Sequence, residues 1–357
     1  MSRSLRVTKK NNIVIVCEGS DTEPNYLSDL KQYVKDRFDD VRIVPFGPEA
    51  KEAMLRDKSL KKSRKNRQTH SPAGTRSGKY YWTLEEVDEE TYNKYNQQPT
   101  RYVREAQLYL ENGYVEAWAV YDFDKFPDHE NAIALAKSDP RLNIAFSSVS
   151  FEEWMLLHFE RNSKAFDRSC CKENKKDIGC GDHVSKHERD CHGEVCVAGY
   201  LREMNYIPDF SKSKTDLFSR YSKDRLTIAR INAAWVRTLY KSDIKVYEKN
   251  PYTDFDRLVE RLLDLKDRFI WIGNAGNASV GKISVDILRD GDSDDMSIKN
   301  LSEGILICEW AILDSMGNVK SDFEKIVLNH NESISLTCRE DQYLVIDYDF
   351  TKYVITK

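Results

Sequence analysis

Residues 13–17, Ile-Val-Ile-Val-Cys, lead directly into Glu18, and this stretch decides the fold. A second apolar run, Ala-Trp-Ala-Val-Tyr at residues 117–121, leads in the same way into Asp122 and Asp124. A continuous apolar run of this length is typical of a parallel strand that is buried on both faces. In open α/β sheets, ligands bind beyond the carboxyl ends of such strands. We therefore expect Glu18, Asp122 and Asp124 to lie close together at one edge of a parallel sheet.

The acidic character of this predicted edge indicates a metal site. Carboxylates that are brought together repel one another unless a cation joins them, and Mg²⁺ prefers oxygen ligands and commonly works on phosphate groups. Glu23 is a further candidate ligand, although its position before Pro24 also suits a residue that interacts with a helix dipole. The sequence thus predicts an enzyme that uses Mg²⁺ or Mn²⁺ to act on a phosphodiester.

The order of the predicted elements favours an α/β fold. Predicted strands cover residues 13–17, 41–46, 115–121 and 142–147. Predicted helices cover residues 24–36, 101–112, 131–137 and 150–160, and helical periodicity returns at 217–241 and 255–265. Strands that alternate with helices argue for a parallel sheet. Beyond residue 268, β-rich segments separated by turn residues predict a β-sandwich or barrel of about five to seven strands. These segments are 269–272, 279–288, 304–313, 334–338 and 343–355. We expect two domains, 1–267 and 268–357, the first with a Cys/His insert at 163–197.

The composition is that of a soluble, folded protein. Hydrophobic residues make up 40% and charged residues 32% of the 357 residues, which allows a sizeable core. No run approaches the roughly 20 apolar residues of a membrane span, and the basic residues 1–10 lead into a strand rather than into a secretory signal. We expect a cytoplasmic protein without a membrane partner, whose eight cysteines are reduced thiols or metal ligands.

The acidic motifs also carry a family resemblance. The strings IVIVCEGSDTEPNYL (13–27), VYDFD (120–124), FEEWMLLHFE (151–160) and NPYTDFDRLVERLL (250–263) resemble, in order and spacing, the RloB family of bacterial Toprim-like proteins. This resemblance implies a Toprim-like parallel sheet flanked by helices and a metal-dependent nuclease fold. RloB proteins are linked to restriction and phage-defence loci, often beside an ATPase, so the resemblance also implies a role in antiphage defence and a partner ATPase.

The resemblance assigns roles to individual residues. Glu18 matches the Toprim glutamate, Asp122 and Asp124 match the paired aspartates, and Glu23 falls where related nucleases place a second acid. Glu152 matches the glutamate of the Phe-Glu-x-Trp segment, and a helix-dipole role is equally open for it. Such carboxylates can hold one or two ions roughly 3.5–4 Å apart for in-line hydrolysis. A glutamate at the edge of the site, its pKa raised by neighbouring charge, could instead move protons.

Basic residues could complete the site. Lys212 and Lys214 lie in a segment that also carries lysines in RloB proteins, and either could neutralise the scissile phosphate. We choose Lys212 as the catalytic candidate. The basic stretch 56–67 could bind a phosphate backbone, and a solvated loop is an equally open interpretation.

Two other residues of the predicted helix 150–160 are expected to have structural roles. Glu153 lies three residues after Ser150, a spacing that favours a capping box. His158 shares a predicted helical face with Trp154 and is expected to pack in the core.

The Cys/His insert predicts a second kind of metal site. Five of the eight cysteines and three of the seven histidines fall within 27 residues, at Cys170, Cys171, Cys180, His183, His187, Cys191, His192 and Cys196. The short spacings favour tetrahedral zinc, which would stabilise a stretch that has little apolar surface to bury. Cys180, His183, Cys191 and Cys196 are the chosen ligands. A polar loop without metal and a redox-sensing thiol cluster are the alternatives.

The predicted function is a Mg²⁺-dependent nuclease of DNA or RNA, tRNA included. Its catalytic residues would be Glu18, Asp122, Asp124, Glu152 and Lys212. The alternative is a non-catalytic interaction or sensor subunit of a defence complex. No Gly-x₄-Gly-Lys-Ser/Thr pattern occurs, so nucleotide-driven control would come from another chain. A homo-oligomer is compatible with either function.

Overall fold

The structure is a computed structural model. It describes residues 12–19, 21–34, 38, 40–44, 98–123, 126–170, 193–265, 268–274, 278–280, 283–290, 293–318, 320, 323–338, 342–348 and 351–356. The chain divides into two compact units. Unit 1 comprises Met1–Glu152 and Phe166–Arg220, and unit 2 comprises Glu153–Ala165 and Tyr221–Lys357.

Unit 1 contains parallel strands that alternate with helices. The strands are β1 (Asn12–Cys17), β2 (Asp40–Val44), β3 (Glu116–Asp122) and β4 (Leu142–Ser148). The helices are α1 (Thr22–Lys31), α2 (Thr100–Glu111), α3 (His129–Lys137), the start of α4 (Glu152–Leu156) and α5 (Val197–Glu203). The predicted alternation of strands and helices is confirmed.

The four strands of unit 1 lie in the order β2-β1-β3-β4 and all pair in parallel. Residues 13–17 of β1 are fully buried, as expected for a strand covered on both faces. Helix α2 packs against β1 and β3, and α3 packs against β4. In the register of β1 and β3, Cys17 lies opposite Val120, so both strands end at the same edge of the sheet.

Two predicted helices are less regular than expected. The helix predicted at 150–160 is regular only over α4, because His158 N–H and Phe159 N–H donate to the carbonyls three residues earlier, which tightens the chain into 3₁₀-type turns. The helix predicted near 217–241 is regular over α6 (Leu226–Thr238) and is preceded by a π-helical turn and a 3₁₀ turn.

Unit 2 is rich in β-structure. Its helices are α6 and α7 (Phe255–Leu263). Its strands are β5 (Tyr252–Thr253), β6 (Arg268–Asn274), β7 (Ala278–Val280), β8 (Ile283–Asp290), β9 (Ser293–Asn300), β10 (Leu306–Leu313), β11 (Glu324–Leu328), β12 (Ser333–Thr337), β13 (Tyr343–Tyr348) and β14 (Thr351–Thr356).

The C-terminal strands form two sheets with one shared core. The orders are β11-β10-β13-β14-β6 and β12-β9-β8-β7, and apart from the parallel pair β14–β6 the neighbours are antiparallel. Val285 and Met296 of one sheet share a buried cluster with Leu344 and Ile346 of the other. Strands β6–β14 are nine within the described residues, so the expectation of five to seven was too low.

Helix α6 packs on the other face of the five-stranded sheet. Ile228 and Ile231 lie in one buried cluster with Trp271 and Val345. Side chains alternate between the faces of a strand, so β13 uses Leu344 for the core between the sheets and Val345 for the helix. Helix α6 belongs to this layer, and unit 2 therefore includes residues 221–267 as well as the C-terminal strands. The domain boundary at 267/268 stays a prediction.

None of the helices within the described ranges combines the length and the apolar character that a bilayer crossing requires.

Candidate active site

Glu18 and Asp122 meet at the carboxyl ends of β1 and β3. The Glu18 Oε2 atom accepts a hydrogen bond from the backbone N–H of Asp122 at 2.9 Å, across 104 positions of sequence. The backbone N–H of Glu18 donates to the Val120 carbonyl at 2.8 Å. Both acids are half-buried. The strand register therefore joins the two acidic motifs at one edge of the sheet.

Glu23 extends this acidic edge from the first turn of α1. Its side chain is buried, with 6% of the residue exposed. A Cβ atom added at Gly19 would lie 2.7 Å from Glu23 Oε2, so the carboxylate lies directly over the Gly19 backbone. The absence of a side chain at Gly19 allows this approach. The Glu23 charge also acts on Cys17, since after burial it is the second cause that raises the pKa of that thiol.

Lys212 and Glu152 form an ion pair in the same unit. Lys212 Nζ lies 3.7 Å from Glu152 Oε1, and the lysine side chain is 36% exposed whereas that of Glu152 is 1% exposed. The Ser169 hydroxyl donates to Glu152 Oε2 at 2.9 Å. Burial raises the pKa of Glu152, but the Lys212 charge and hydrogen bonds to the carboxylate outweigh it, so the pKa lies below its ordinary value. Glu152 is thus an ionised partner of Lys212, not a carboxyl with a raised pKa.

The ion pair and the acidic edge belong to one electrostatic site. The charge of Glu152 raises the pKa of Lys212 most strongly, against the opposing effect of burial. Cys170, Asp122 and Glu23 raise it further, in smaller amounts. Lys212 therefore places a positive charge among the acids that follow β1 and β3.

His129 supports the loop that follows β3. Its Nε2 atom lies 3.1 Å from the Phe123 carbonyl, and its ring stacks on that of Phe123 with 5.7 Å between centroids and an interplanar angle of 12°. His129 is buried. Burial lowers its pKa, so the ring is neutral near pH 7 and Nε2 carries the proton that the carbonyl accepts. The contact positions the residue next to Asp122.

A comparison with models of protein families shows to which family the chain belongs. A model of the RloB-like protein family matches residues 13–262, which is well over half of the chain. This chain belongs to the RloB-like family. The match covers Glu18, Asp122, Glu152 and Lys212, and so confirms the resemblance found in the sequence.

Other comparisons of the RloB-like chain give no further relative. No curated protein matches it. Among solved structures it is similar to β-glucosidase 3B from Thermotoga neapolitana in complex with α-D-glucose, at 11% identity and a TM-score of 0.22. The alignment covers 99% of this chain and 52% of that one, so the chain spans about half the length of the glucosidase. A TM-score of 0.22 is too low to indicate a shared fold.

The acidic edge of the RloB-like segment offers the ligand type that Mg²⁺ prefers. Glu18, Glu23 and Asp122 provide carboxylate oxygens, and a carboxylate that accepts one hydrogen bond keeps further lone pairs. Within the described ranges, no group of three or more His, Cys, Asp or Glu side chains is arranged to hold a metal ion. Asp124, the remaining predicted ligand, lies outside the described residues.

Other predicted site residues have different surroundings. Lys214 Nζ pairs with Asp209 Oδ2 at 2.6 Å and with Asp216 Oδ1 at 3.6 Å, so Lys212 and not Lys214 is the lysine that contacts Glu152. Cys196 is fully buried just before α5. Three predicted zinc ligands and the basic stretch lie outside the described residues: Cys180, His183, Cys191 and 56–67.

Glu153 and His158 are buried structural groups of unit 2. The Asn162 side-chain amide donates to Glu153 Oε1 at 2.9 Å and to Oε2 at 3.0 Å. The predicted capping box is therefore wrong, because Asn162 and not the start of α4 holds this carboxylate. Burial raises the pKa of Glu153 to about 8. His158 is buried, as the sequence predicts, and its Nδ1 lies 2.9 Å from the Trp154 carbonyl.

Sequence reasoning missed three residues that shape the site. Gly19 directly follows the strand-end acid Glu18, and a glycine at such a position is a signal of close approach by another group. His129 lies five residues after Asp124, a separation that gives no indication of its contact with Phe123. Ser169 lies 17 positions from Glu152, at the edge of the insert, and no sequence pattern connects the two.

Proposed function

We propose that this RloB-like protein is a Mg²⁺- or Mn²⁺-dependent phosphodiesterase with a Toprim-like core that hydrolyses DNA or RNA. The observation that carries the proposal is the hydrogen bond between Glu18 and Asp122, which joins two acidic motifs separated by 104 positions. Acids that converge beyond the carboxyl ends of parallel strands are typical of ligand sites in open α/β sheets. The RloB resemblance extends the proposal to antiphage defence with a partner ATPase.

The metal would be held by carboxylates of the acidic edge. Glu18, Asp122 and Asp124 are the proposed ligands, with Glu23 as a fourth. A divalent ion in such a site supplies Lewis-acid stabilisation of phosphoryl oxygens and a lowered pKa for bound water. Gly19 keeps the backbone beside Glu23 free of a side chain, and the Phe123–His129 contact fixes the end of β3.

Lys212 would act on the phosphate. Its ammonium group is close enough to Asp122 and Glu23 for their charges to raise its pKa, so it is protonated across the physiological range. A fixed positive charge beside the reacting phosphate stabilises negative charge that develops in the transition state. Glu152 is nearly fully buried and ionised, so its role in this proposal is to position Lys212.

The proposed substrate is a nucleic acid, since the residues suit a phosphodiester and not a particular base. The sequence adds seven Lys and Arg side chains within residues 56–67, a stretch whose charge suits a phosphate backbone. With this stretch the chain has a basic segment despite its formal net charge of −4.

A cleavage assay tests the proposal. The purified protein is incubated with Mg²⁺ or Mn²⁺ and with plasmid, single-stranded DNA and total tRNA. We expect at least one substrate to be cut, cleavage to stop in EDTA, and Asp122→Ala to be inactive while folded. The matched control is Asp40→Ala, since Asp40 is exposed and pairs with Asn12 at the amino ends of the strands. Cleavage by Asp122→Ala at the wild-type rate would contradict the proposal.

The alternative function uses the same sheet edge for binding a partner protein. It is favoured by the observation that the described carboxylates do not form a group able to hold a metal by themselves. In a non-catalytic subunit, the Lys212 ammonium would offset the acidic charge without any ion. The two functions differ in metal affinity, because only the enzyme requires Glu18 and Asp122 to bind a divalent ion.

A further inference from the structure

The outer face of the five-stranded sheet of unit 2 carries an apolar patch. Helix α6 packs on one part of this face, where Leu313 of β10 and Val345 of β13 are buried. Towards the other end of β10, Ile307 is 53% exposed, and its cross-strand partner Val327 on β11 is also 53% exposed. Ile305, directly before β10, is 65% exposed. These three side chains form an apolar patch that is open to solvent in the described part of the chain.

The apolar patch lies at a strand edge. β11 is the last strand of the order β11-β10-β13-β14-β6, and β10 is its partner among the described strands. An edge strand directs backbone N–H and C=O groups away from its sheet, and these groups can pair with a strand of another chain. Proteins commonly prevent such pairing with charged residues, proline or a bulge on the edge. In β11 the charged residues are Glu324 and Lys325 at its start, so residues 326–328 lack this protection.

The apolar residues of β11 are self-complementary in an antiparallel pair. A twofold axis through Val327 places this residue opposite its own copy and places Ile326 opposite Leu328 of the second copy. Residues that lie opposite each other in antiparallel strands share one face of the sheet and contact each other. On the outer face, Val327 and its cross-strand neighbour Ile307 would therefore continue into the same two residues of the second copy. This register turns two exposed apolar pairs into one row of four side chains.

The charges of β11 fit the same register. With the axis at Val327, Lys325 lies opposite the uncharged Asn329 of the second copy, and Glu324 lies opposite its His330. No like charges then face each other. With the axis at Lys325, two ammonium groups would lie directly opposite each other, which is unfavourable. The order of charged and apolar residues thus suits a second copy of this chain, paired about Val327.

We propose that the chain forms a twofold symmetric dimer in which the β11 strands of two copies pair antiparallel about Val327. The interface is isologous, because each copy contributes the same surface. The backbone pairing joins the two five-stranded sheets into one, and the apolar patches meet beside it. The dimer is independent of the proposed function, since it uses neither Glu18 nor Lys212.

The dimer should dissociate in the micromolar range. Its pairing strand has five residues, so the interface lies at the lower end of the size range of specific complexes. The backbone hydrogen bonds of the pair replace hydrogen bonds to water, so each has a modest net effect. The affinity therefore depends mainly on burial of the apolar patch, and a charge placed at Val327 should have a large effect on it.

Sedimentation analysis of the full chain tests association. Between about 1 and 100 µM, the wild type is expected to change from monomer to dimer. Val327→Lys removes an apolar contact and places two ammonium groups opposite each other, so it should weaken association by about tenfold or more. The matched control is Ile270→Lys, because Ile270 is 44% exposed on β6, the edge strand at the other end of the same sheet.

The control variant should associate as the wild type does. Both substituted side chains are exposed, so both variants should keep the near-UV circular dichroism of the wild type. A wild type that stays monomeric over the whole concentration range would overturn the proposal, and the edge would then suit a different chain. Wild-type association of a folded Val327→Lys variant would overturn it as well.

Cysteine cross-linking tests the register. In a dimer about Val327, the Val327→Cys variant brings two thiols within reach of a disulfide, so mild oxidation should give a covalent dimer on a non-reducing gel. Lys325→Cys lies on the same face but opposite Asn329 of the second copy, so it should cross-link no more than the wild type. The wild type shows the contribution of the native cysteines. Equal cross-linking of the two variants, or none above the wild type in Val327→Cys, would overturn the pairing.

Discussion

Glu18 Oε2 accepts the backbone N–H of Asp122 at 2.9 Å, although the two residues are 104 positions apart. A second bond, from the Glu18 N–H to the Val120 carbonyl, runs in the opposite direction between the same two strands. Glu18 therefore has two separable properties in this structure, an oxygen that accepts a structural hydrogen bond and a negative charge that faces the acidic edge.

These two properties of Glu18 can be separated by substitution. Glu18→Gln keeps a side-chain oxygen for the Asp122 N–H and removes the charge, so we expect wild-type thermal stability and loss of metal-dependent cleavage. Glu18→Ala removes the acceptor too, and we expect it to be about 1 kcal/mol less stable. Thermal unfolding and the cleavage assay measure the two effects. Wild-type cleavage by Glu18→Gln would show that the charge is dispensable.

Because Glu152 and Lys212 form an ion pair, we expect substitutions of the two residues to have strongly non-additive effects on the free energy of unfolding. Lys212→Met leaves the buried Glu152 carboxylate without its cation, and we expect a loss of about 1–2 kcal/mol, less than for a fully buried pair because Lys212 is partly exposed. Glu152→Gln in the same chain removes the charge that needs compensation and should restore most of this stability. Denaturant unfolding of the four proteins measures the coupling.

Lys214 provides the control for this double-mutant cycle of Lys212 and Glu152. It pairs with Asp209, whose side chain is 50% exposed, so Lys214→Met should change stability by about 0–1 kcal/mol. Additive effects of Lys212→Met and Glu152→Gln would mean that the ion pair does not hold Lys212 in place.

Glu153 predicts a pH dependence of stability. Its pKa is raised from 4.5 to about 8 by burial, so between these values the folded chain binds a proton that the unfolded chain releases. The stabilisation of the folded chain by the proton on Glu153 is fully present below about pH 4.5, and it is lost as the pH rises through about 8. Stability should fall by up to about 1.4 kcal/mol per pH unit within this window.

The variant Glu153→Gln isolates this contribution. Its amide oxygen still accepts from Asn162, but the group no longer titrates, so the fall in thermal midpoint between pH 5 and pH 8 should be smaller than in the wild type. Midpoints measured in buffers of constant ionic strength provide the comparison. Parallel curves for the two proteins would refute a protonated Glu153.

His129 predicts a positioning effect on the loop after β3. His129→Phe keeps an aromatic ring against Phe123 and loses the hydrogen bond to its carbonyl, whereas His129→Ala loses both. We expect the first to weaken Mn²⁺ binding with a stability loss of about 1 kcal/mol, and the second to cost about 2–4 kcal/mol because a buried ring is removed. Calorimetric Mn²⁺ titration and thermal unfolding separate these outcomes. Wild-type Mn²⁺ affinity in His129→Phe would argue against positioning.

The sequence predicts the parallel sheet of unit 1 well, because each of its buried strands is indicated by a short apolar run within the strand itself. The apolar runs at 13–17 and 117–121 each indicate a buried strand, and parallel topology brings their carboxyl ends together. Strand β9 was missed because only Met296 and Ile298 of its eight residues are apolar and buried. Strand β11 is short, and its exposed residues hide the alternation.

Contacts between distant segments could not be predicted in this way. Asn162 donates hydrogen bonds to Glu153, and Ser169 donates one to Glu152. Both pairings depend on the path of the chain after the short helix α4, and hydrophobic periodicity contains no information about that path. The same holds for Lys212, because the family resemblance indicated Lys212 and Lys214 alike, whereas the contact of Lys212 with Glu152 appears only in the structure.

Mn²⁺ binding measured by isothermal titration calorimetry tests the central claim most directly, because it requires no knowledge of the substrate. The account predicts that the wild type binds Mn²⁺, that Asp122→Asn and Glu18→Gln each weaken binding by about tenfold or more, and that Asp40→Asn binds as the wild type does. A wild-type protein that binds no Mn²⁺, or an Asp122→Asn variant with unchanged affinity, would contradict a metal site between Glu18 and Asp122.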